Sequence, residues 1–164
     1  MRVAGRGYVG SVDSELQDLG RRLVGHWTSD ATHPQMPGVT VAGSATFEWL
    51  EGQRFVIFRS HYDHPELPDA VSIIGDTDGF HMHYFDSRGV FRLYELTVIA
   101  DGWTIAIGRQ SPTGSFAPGK DPFSQRVTYR FESGDKEMSG KGQLSHDDVS
   151  WDDDLEITYR RVVS

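Results

Sequence analysis

The sequence predicts an all-β protein, either a sandwich or a barrel, with one short helix before the first strand. Three observations indicate this class. Only residues 12–24 carry a convincing helical pattern of apolar side chains. From Trp27 onward, short apolar-rich segments alternate with turn residues at fairly regular spacing. One face of the expected sheet gathers most of the large apolar and tyrosine side chains, as the inner face of a core does.

The expected helix has its apolar positions three and four residues apart, at Val12, Leu16, Leu19 and Leu23. Ser11, Asp13 and Ser14 are suitable N-cap residues. Gly20 weakens the helical pattern, and Gly25 is the expected stop. We expect this helix to cover one end of the sheet structure. Residues 1–10 are expected to form a flexible tail, and the whole chain of 164 residues to form a single domain.

Ten strands are expected, over residues 26–32, 39–50, 54–62, 70–75, 80–86, 90–99, 103–110, 124–132, 136–146 and 154–162. Two stretches between them have the composition of loops, residues 64–69 and residues 111–122. The second has three prolines and two glycines in twelve residues. It is either a lid over a site or an ordinary long loop.

Turn chemistry links the faces of neighbouring strands. The segments 76–79 and 86–89 each begin with Asp and end with Gly, which favours a type I turn with a glycine bulge. These turns predict that Ile74 lies opposite Met82, Tyr84 opposite Arg92, and Met82 opposite Tyr94. A two-residue turn at 101–102 predicts two further pairs, Leu96 with Ile107 and Val98 with Ile105. The hairpin around that turn is Leu/Val/Trp/Ile on one side and Thr/Ala/Gly on the other, so the first side must be the core.

The tyrosines and two arginines follow that apolar side inward. The expected inner face carries Tyr62, Tyr84, Tyr94, Tyr129, Tyr159, Arg92 and Arg109 but no acidic residue. Gly140 and Gly142 also face inward and are expected to leave room. An apolar pocket with a few convergent polar groups is typical of a small-molecule site. The expected ligand-binding residues are Tyr84, Arg92, Tyr94, Arg109, Met82, Tyr62, Phe58, Trp49, Trp103 and Tyr129. The alternative is that these side chains sit at a mouth, with stems packed and polar tips in water.

Two histidine motifs offer other chemistry. His81 and His83 have metal-ligand spacing, and His81 is expected opposite Glu95, but all three fall on the outer face. His61 and Asp63 have the composition of an acid–base pair, but they lie on the side opposite to Tyr62. We therefore expect no metal and assign no catalytic residue from these motifs.

The composition limits the classes of molecule that the protein is expected to bind. The net charge of −8 argues against nucleic acid, because phosphate binding needs a clustered basic face. The chain has no cysteine, no apolar run long enough to span a membrane and no apolar segment of a signal peptide near its start. A cytoplasmic monomer or homodimer that binds a small molecule is expected. The acidic cluster at residues 147–154 is expected to be a solvated hairpin.

The segment Gly25-His26-Trp27 after a short helix, and Tyr159-Arg160-Arg161 near the end, resemble the calycin superfamily of lipocalins, fatty-acid-binding proteins and nitrobindin-like proteins. The segments 47–52 and 151–161 resemble an uncharacterised bacterial lipocalin-like family. This resemblance implies a closed antiparallel up-and-down barrel of about ten strands. It also implies that Arg160 or Arg161 lies across Trp27 at the closed end. Nitrobindins carry a proximal haem histidine on their last strand, where this chain has none, and the nearest is His146 on the preceding expected strand.

Three functions follow as hypotheses. The first is binding of a small apolar or aromatic molecule with an anionic or carbonyl group, without a cofactor. The second is an isomerase or cyclase that uses Tyr84 or Tyr94 as acid or base, with a pKa lowered by the neighbouring arginine. The third is a nitrobindin-like haem barrel.

Overall fold

The computed structural model describes residues 10–76, 80–111 and 119–163. These residues form one helix and ten strands: α1 (Gly10–Leu23), β1 (Gly25–Thr32), β2 (Val41–Trp49), β3 (Phe55–Tyr62), β4 (Ala70–Asp76), β5 (Phe80–Asp86), β6 (Phe91–Ile99), β7 (Gly102–Ile107), β8 (Ser124–Glu132), β9 (Glu137–Ser145) and β10 (Asp152–Arg161). Each strand pairs antiparallel with its sequence neighbour, and β1 pairs with β10 to close the barrel. The predicted fold class is confirmed.

The turn at Asp86 fixes the register that the sequence predicted. Gly89 has a φ of +83°, and its N–H donates to Asp86 O over 2.9 Å, as a bulge glycine does. Ile74 pairs with Met82, Met82 with Tyr94, and Tyr84 with Arg92. The tip of the preceding turn, residues 77–79, lies outside the described residues, as do most of the proposed lid and residues 1–9 of the expected tail.

One predicted register is wrong. Leu96 pairs with Ile105 and Val98 with Trp103, because the hairpin turns at residues 100–101 rather than 101–102. The shift is two residues along the partner strand. Side chains alternate with a period of two, so the predicted inner face is nevertheless preserved.

Arginine and tryptophan close one end of the barrel. The guanidinium carbon of Arg161 lies 4.2 Å from the ring centroid of Trp27. Its nitrogens donate to the carbonyl oxygens of Val24 (2.8 Å), Asp135 (3.2 Å) and Arg22. The indole N–H of Trp27 donates to Leu23 O over 2.9 Å, which ties the strand to the end of α1. Of the two arginines considered, it is therefore Arg161 that lies across Trp27.

The helix α1 completes the closed end. Leu16, Leu19 and Leu23 are buried in the same core as Trp27, and the ring of Trp49 lies over Gly20. No helix among the described residues is long and apolar enough to cross a membrane.

Aromatic stacking fills much of the interior. Phe47 stacks on Phe58 with ring centroids 4.2 Å apart, and Trp103 stacks on Tyr129 at 4.0 Å. A Cβ at Gly140 would lie only 2.9 Å from the Tyr129 ring. The expectation that this glycine leaves a void is therefore wrong, because the phenol ring occupies the space that a side chain would take.

Candidate functional site

The end of the barrel opposite α1 carries a polar cluster. The strands that the β1–β2, β3–β4, β5–β6, β7–β8 and β9–β10 connections join all end there. We call this end the mouth. Polar side chains that point inward or across it form two hydrogen-bonded sets, which we call together the mouth cluster: His33, Asp154, Gln125, Arg92 and Tyr94 in one, and Tyr84 and Asp86 in the other. The two sets meet where the rings of Tyr84 and Tyr94 lie edge to face, with centroids 6.1 Å apart.

Arg92 lies at the centre of the mouth cluster. Its side chain points inward from β6, and the residue is only 7% exposed. The Nη1 nitrogen donates to the hydroxyl oxygen of Tyr94 and to Oε1 of Gln125, both over 3.1 Å. The Tyr94 hydroxyl donates to the same Gln125 oxygen over 2.6 Å. The ring centroid of Phe123 lies 4.9 Å from the guanidinium carbon. Among the described residues, this buried cation contacts two neutral acceptors and an aromatic face.

Asp154 continues the cluster toward the β1–β2 connection. The register of β10 shifts between Asp153 and Glu156, and Asp154 lies inside this irregularity. Its Oδ2 accepts from Gln125 Nε2 over 3.0 Å, and its Oδ1 lies 2.9 Å from His33 Nε2. The N–H of Gln35 donates to His33 Nδ1 over 3.1 Å, so the neutral imidazole carries its proton on Nε2 and donates it to Asp154.

Asp86 forms the other branch of the mouth cluster. The Tyr84 hydroxyl donates to its Oδ2 over 2.9 Å, and Arg88 Nη2 donates to the same oxygen over 2.6 Å. Burial favours the neutral acid, but the hydrogen bonds from Arg88 and Tyr84 outweigh it and lower the pKa of Asp86. Asp86 and Asp154 overturn the expectation of an inner face without acidic residues.

The buried phenols do not have lowered pKa values. Burial raises the pKa of Tyr94, and the adjacent Arg92 offsets only part of that effect. Burial, with the charge of Asp86, also raises the pKa of Tyr84. Burial raises the pKa of Tyr62 to about 12, despite a hydrogen bond with Tyr159. The expectation of an arginine-lowered phenol is therefore wrong: at neutral pH these groups are protonated hydrogen-bond donors.

The ten residues predicted to bind a ligand fall into three groups. Tyr84, Arg92 and Tyr94 belong to the mouth cluster. The interior core contains Met82, Phe58, Trp103, Tyr129 and, partly buried, Tyr62 and Trp49. Arg109 lies beyond the end of β7 and donates to Asp148 Oδ2 over 2.8 Å. Its side chain is 34% exposed, so it lies at the rim rather than inside the barrel.

Four members of the mouth cluster were not predicted. Alternation along the strand indicates that Val127 points inward, and Gln125 lies two residues before it. The same alternation therefore predicts an inward direction for Gln125. Asp86 is expected at the end of the strand 80–86 and as the first residue of the following turn, with no role in a site. Asp154 was assigned to a solvated acidic hairpin, and the irregularity that turns it inward has no signal in the sequence. His33 follows β1 in a connection and has no periodicity to place it.

Asp154 is expected to stabilise the folded protein through its hydrogen bonds in the mouth cluster. Asp154→Ala leaves the donors of Gln125 and His33 without their acceptor, so we expect a loss of about 2 kcal/mol in the free energy of unfolding. Asp153→Ala is the matched control, because the Asp153 side chain is 58% exposed, and we expect a change within about 0.5 kcal/mol. Urea denaturation of both variants gives the comparison, and equal losses would contradict this role.

The two histidine motifs lie elsewhere. His81 pairs with Glu95 as predicted, on the outer face, and the described residues contain no group of three or more potential protein ligands that could hold a metal. His61 Nδ1 lies 2.8 Å from Asp69 and Nε2 lies 3.1 Å from Asp63. These two hydrogen bonds to carboxylates, the one to Asp69 having the larger effect, raise the pKa of His61, whose side chain is 56% exposed.

The residues of the described barrel do not fit a haem ligand set like that of the nitrobindins. No histidine lies on β10, and His146 follows the end of β9 rather than lying within it. The ring of His146 is exposed, with Nδ1 3.3 Å from Pro122 O and its centroid 6.1 Å from that of Phe123. We derive no haem role from this arrangement.

No family model and no curated relative matches the chain. Two solved structures have a similar fold. The crystal structure of Rv2717c from M. tuberculosis superposes with a TM-score of 0.66 at 16% identity, over 91% of this chain and 98% of that one. A protein of unknown function from the DUF3598 family of Nostoc punctiforme PCC 73102 gives a TM-score of 0.50 at 11% identity, over 87% of this chain and 49% of that one. At these identities the likeness is one of fold.

Proposed function

We propose that the protein is a calycin-like binding barrel whose mouth takes a small aromatic or apolar molecule with a carboxylate or carbonyl group. The observation that carries this proposal is the buried Arg92, hydrogen-bonded to Tyr94 and Gln125 and facing an aromatic ring. A guanidinium presents five N–H donors in a fixed fork, which matches an oxygen acceptor in two places. The protonated phenol of Tyr94 donates its single proton to Gln125 here, and it can donate to the same acceptor when the ligand takes the place of Gln125.

The barrel has only one plausible entrance among its described parts. The closed end is filled by α1, Trp27 and Arg161, whereas the mouth is covered by connections. Met36 of the β1–β2 connection and Leu67 of the β3–β4 connection pack against the core there. A ligand that reaches Arg92 displaces these two apolar side chains and replaces their contacts with its own apolar part.

A buried donor deeper in the barrel also supports a ligand. The indole N–H of Trp103 is fully buried, and among the described residues it has no hydrogen-bond partner. An orphaned buried donor is costly, and a ligand oxygen or an ordered water would satisfy it. Trp103 lies in the aromatic stack with Tyr129, so this donor is next to apolar surface that suits a ring.

The proposal is tested with ligand binding to wild type and Tyr94→Phe. Native mass spectrometry of the protein as purified comes first, followed by calorimetric titration with aromatic carboxylates and with the matching alcohols. We expect carboxylates to bind better than alcohols and Tyr94→Phe to weaken carboxylate binding about tenfold, because one donor is lost. Tyr159→Phe is the matched control, since Tyr159 is buried away from the mouth cluster, and its affinity is expected to equal that of wild type. The proposal fails if no member of the panel binds, or if both variants behave alike.

An enzyme that uses His33 is the second candidate. The specific observation is the contact of His33 with Asp154, an orienting pair of the kind used in general acid–base catalysis. Turnover of carbonyl compounds, followed by chromatography and mass spectrometry, separates the two candidates. An enzyme loses turnover in His33→Gln while it keeps affinity, and a binder shows no turnover in either protein.

A further inference from the structure

The outer surface of four adjacent strands is apolar where the rest of the barrel exterior is polar. On β3 to β6, the outward positions include a set of six apolar side chains that we call the outer apolar face: Ile57, Val71, Ile73, Phe85, Phe91 and Leu93. Three of them are well exposed: Val71 at 39%, Phe85 at 50% and Phe91 at 47%. Strands with apolar residues on both sides are typical of sheets covered on both faces.

These side chains form continuous rows across the strands. The first row runs Arg59, Val71, Phe85, Phe91 and the second runs Ile57, Ile73, His83, Leu93. A third row, toward the closed end, runs Phe55, Gly75, His81, Glu95. Elsewhere the described outward positions are mainly polar, as in Arg126, Thr128 and Arg130 of β8 and Glu156, Thr158 and Arg160 of β10. The apolar character is therefore local.

Charges stand at two opposite corners of this patch. Arg59 lies at the β3 end of the first row, and Glu95 lies at the β6 end of the third. The central positions between them carry no carboxylate, lysine or arginine. Two copies of a chain with a net charge of −8 repel one another in general, but the centre of this surface carries none of the carboxylates that make up the negative charge.

We propose that the outer apolar face binds a second copy of this chain in a two-fold symmetric dimer, with the strands of the two copies crossing at roughly 90°. The two-fold axis lies in the plane of the interface, along the diagonal of the patch from Phe91 to Phe55. Rotation about this axis places each of the other two corners of one copy over the opposite corner of the partner. Arg59 then faces Glu95 of the partner subunit, and the reverse contact follows by symmetry. Within the described part of the chain, the ion pair that Arg59 gives up for it is a long contact of 3.5 Å with Glu48.

The same arrangement places an apolar side chain of one copy against a groove of the other copy. A groove of about 600 Å³ beside the patch is lined by Arg59, Val71 and Phe85 among others. The diagonal axis sets Leu93 of one copy against the gap between Val71 and Phe85 of the other. The barrel is closed and offers no free sheet edge, so a partner must pack on a face, at the ~10 Å distance of stacked sheets.

The size of the patch predicts the strength of the dimer. Four strands at ~4.8 Å spacing and three rows of side chains cover roughly 20 by 20 Å. This projected area of about 400 Å² per copy lies below the ~600 Å² per copy that separates standard interfaces from weak, transient ones. We therefore expect a reversible dimer with a dissociation constant in the range of about 1–50 μM.

Sedimentation velocity of the full chain from about 1 to 200 μM tests the proposal. We expect a concentration-dependent dimer, and Phe85→Lys is expected to weaken it at least about 30-fold, because the changed residue occurs twice in the interface. Leu50→Lys is the matched control: it changes another exposed apolar residue, 43% exposed, outside the patch, and should leave dimerisation unchanged. Circular dichroism confirms that both variants are folded. A wild type that stays monomeric overturns the proposal, and so does a dimer that survives Phe85→Lys.

Charge reversal tests the crossing geometry. Arg59→Glu and Glu95→Arg are each expected to weaken the dimer about tenfold, and the double variant is expected to recover most of the wild-type affinity. Additive losses in the double variant overturn the crossed arrangement. None of these outcomes depends on a ligand, so the test is independent of the function proposed for the mouth.

Discussion

Arg161→Ala is expected to lower the free energy of unfolding by about 3 kcal/mol. The Arg161 side chain donates to three main-chain carbonyl groups and covers the ring of Trp27. Removing it takes a donor from carbonyl oxygens in the last turn of α1, in the α1–β1 connection and in the β8–β9 connection, and it exposes the indole. Urea denaturation measures the change.

Arg160→Ala is the control for this prediction. Arg160 is adjacent in sequence, but it points outward and pairs with Asp30 at 2.6 Å and Glu137 at 3.6 Å. Its side chain is 52% exposed, and exposed ion pairs contribute little. We expect Arg160→Ala to cost less than about 1 kcal/mol. A loss as large as that of Arg161→Ala would mean that charge, rather than the contacts at the closed end, explains both results.

Cooperative unfolding in alkali is the second large effect that we expect. Burial raises the pKa of Tyr62 to about 12 and also raises those of Tyr94, Tyr129 and Tyr159. A phenol with a higher pKa in the folded state contributes its full stability below the unfolded pKa of about 10 and loses it as the pH rises further. By pH 12 each fully buried phenol then lowers the free energy of unfolding by about 2 kcal/mol. The sum over several phenols approaches the whole free energy of unfolding of a typical domain.

The measurement is an alkaline titration with two detectors, tyrosinate absorbance at 295 nm and far-ultraviolet circular dichroism. We expect most of the tyrosinate signal to appear together with the loss of β structure between about pH 10 and 12. Tyr62→Phe is expected to move the transition to higher pH, because one buried phenol no longer ionises. Tyrosinate that forms gradually around pH 10 with intact β structure would show that the phenols are accessible, and the raised pKa values would be wrong.

Local chemistry explains why the fold was predictable. The turn from Asp86 to Gly89 has a backbone conformation that these few local residues determine. Alternation along each strand then assigns the faces, and an error of two residues, as at the hairpin of Leu96, does not change them. The contact between Trp27 and an arginine was predictable only through the resemblance to calycins.

The interior contacts were less predictable, because they depend on distances across the barrel. The stack of Trp103 on Tyr129 needs the room at Gly140, and alternation alone does not distinguish a filled space from an empty one. The branch of the mouth cluster through Asp154 depends on an irregularity in β10. Such bulges re-aim a side chain without a clear composition signal. Arg109 was misplaced for a related reason: β7 ends at Ile107, before alternation reaches it.

The pairing of β1 with β10 has a consequence for how the chain acquires its structure. Among the described strand pairs, nine join sequence neighbours, whereas this one joins residues such as Thr28 and Arg160, which lie 132 positions apart. Hairpins between neighbours close short loops quickly, but the ring is complete only when its first and last members meet. We therefore expect ring closure to be the slow step of folding. A circular permutant opened at the Glu51–Gly52 turn would make β2 and β3 the last pair, and its folding rate would report on that new seam.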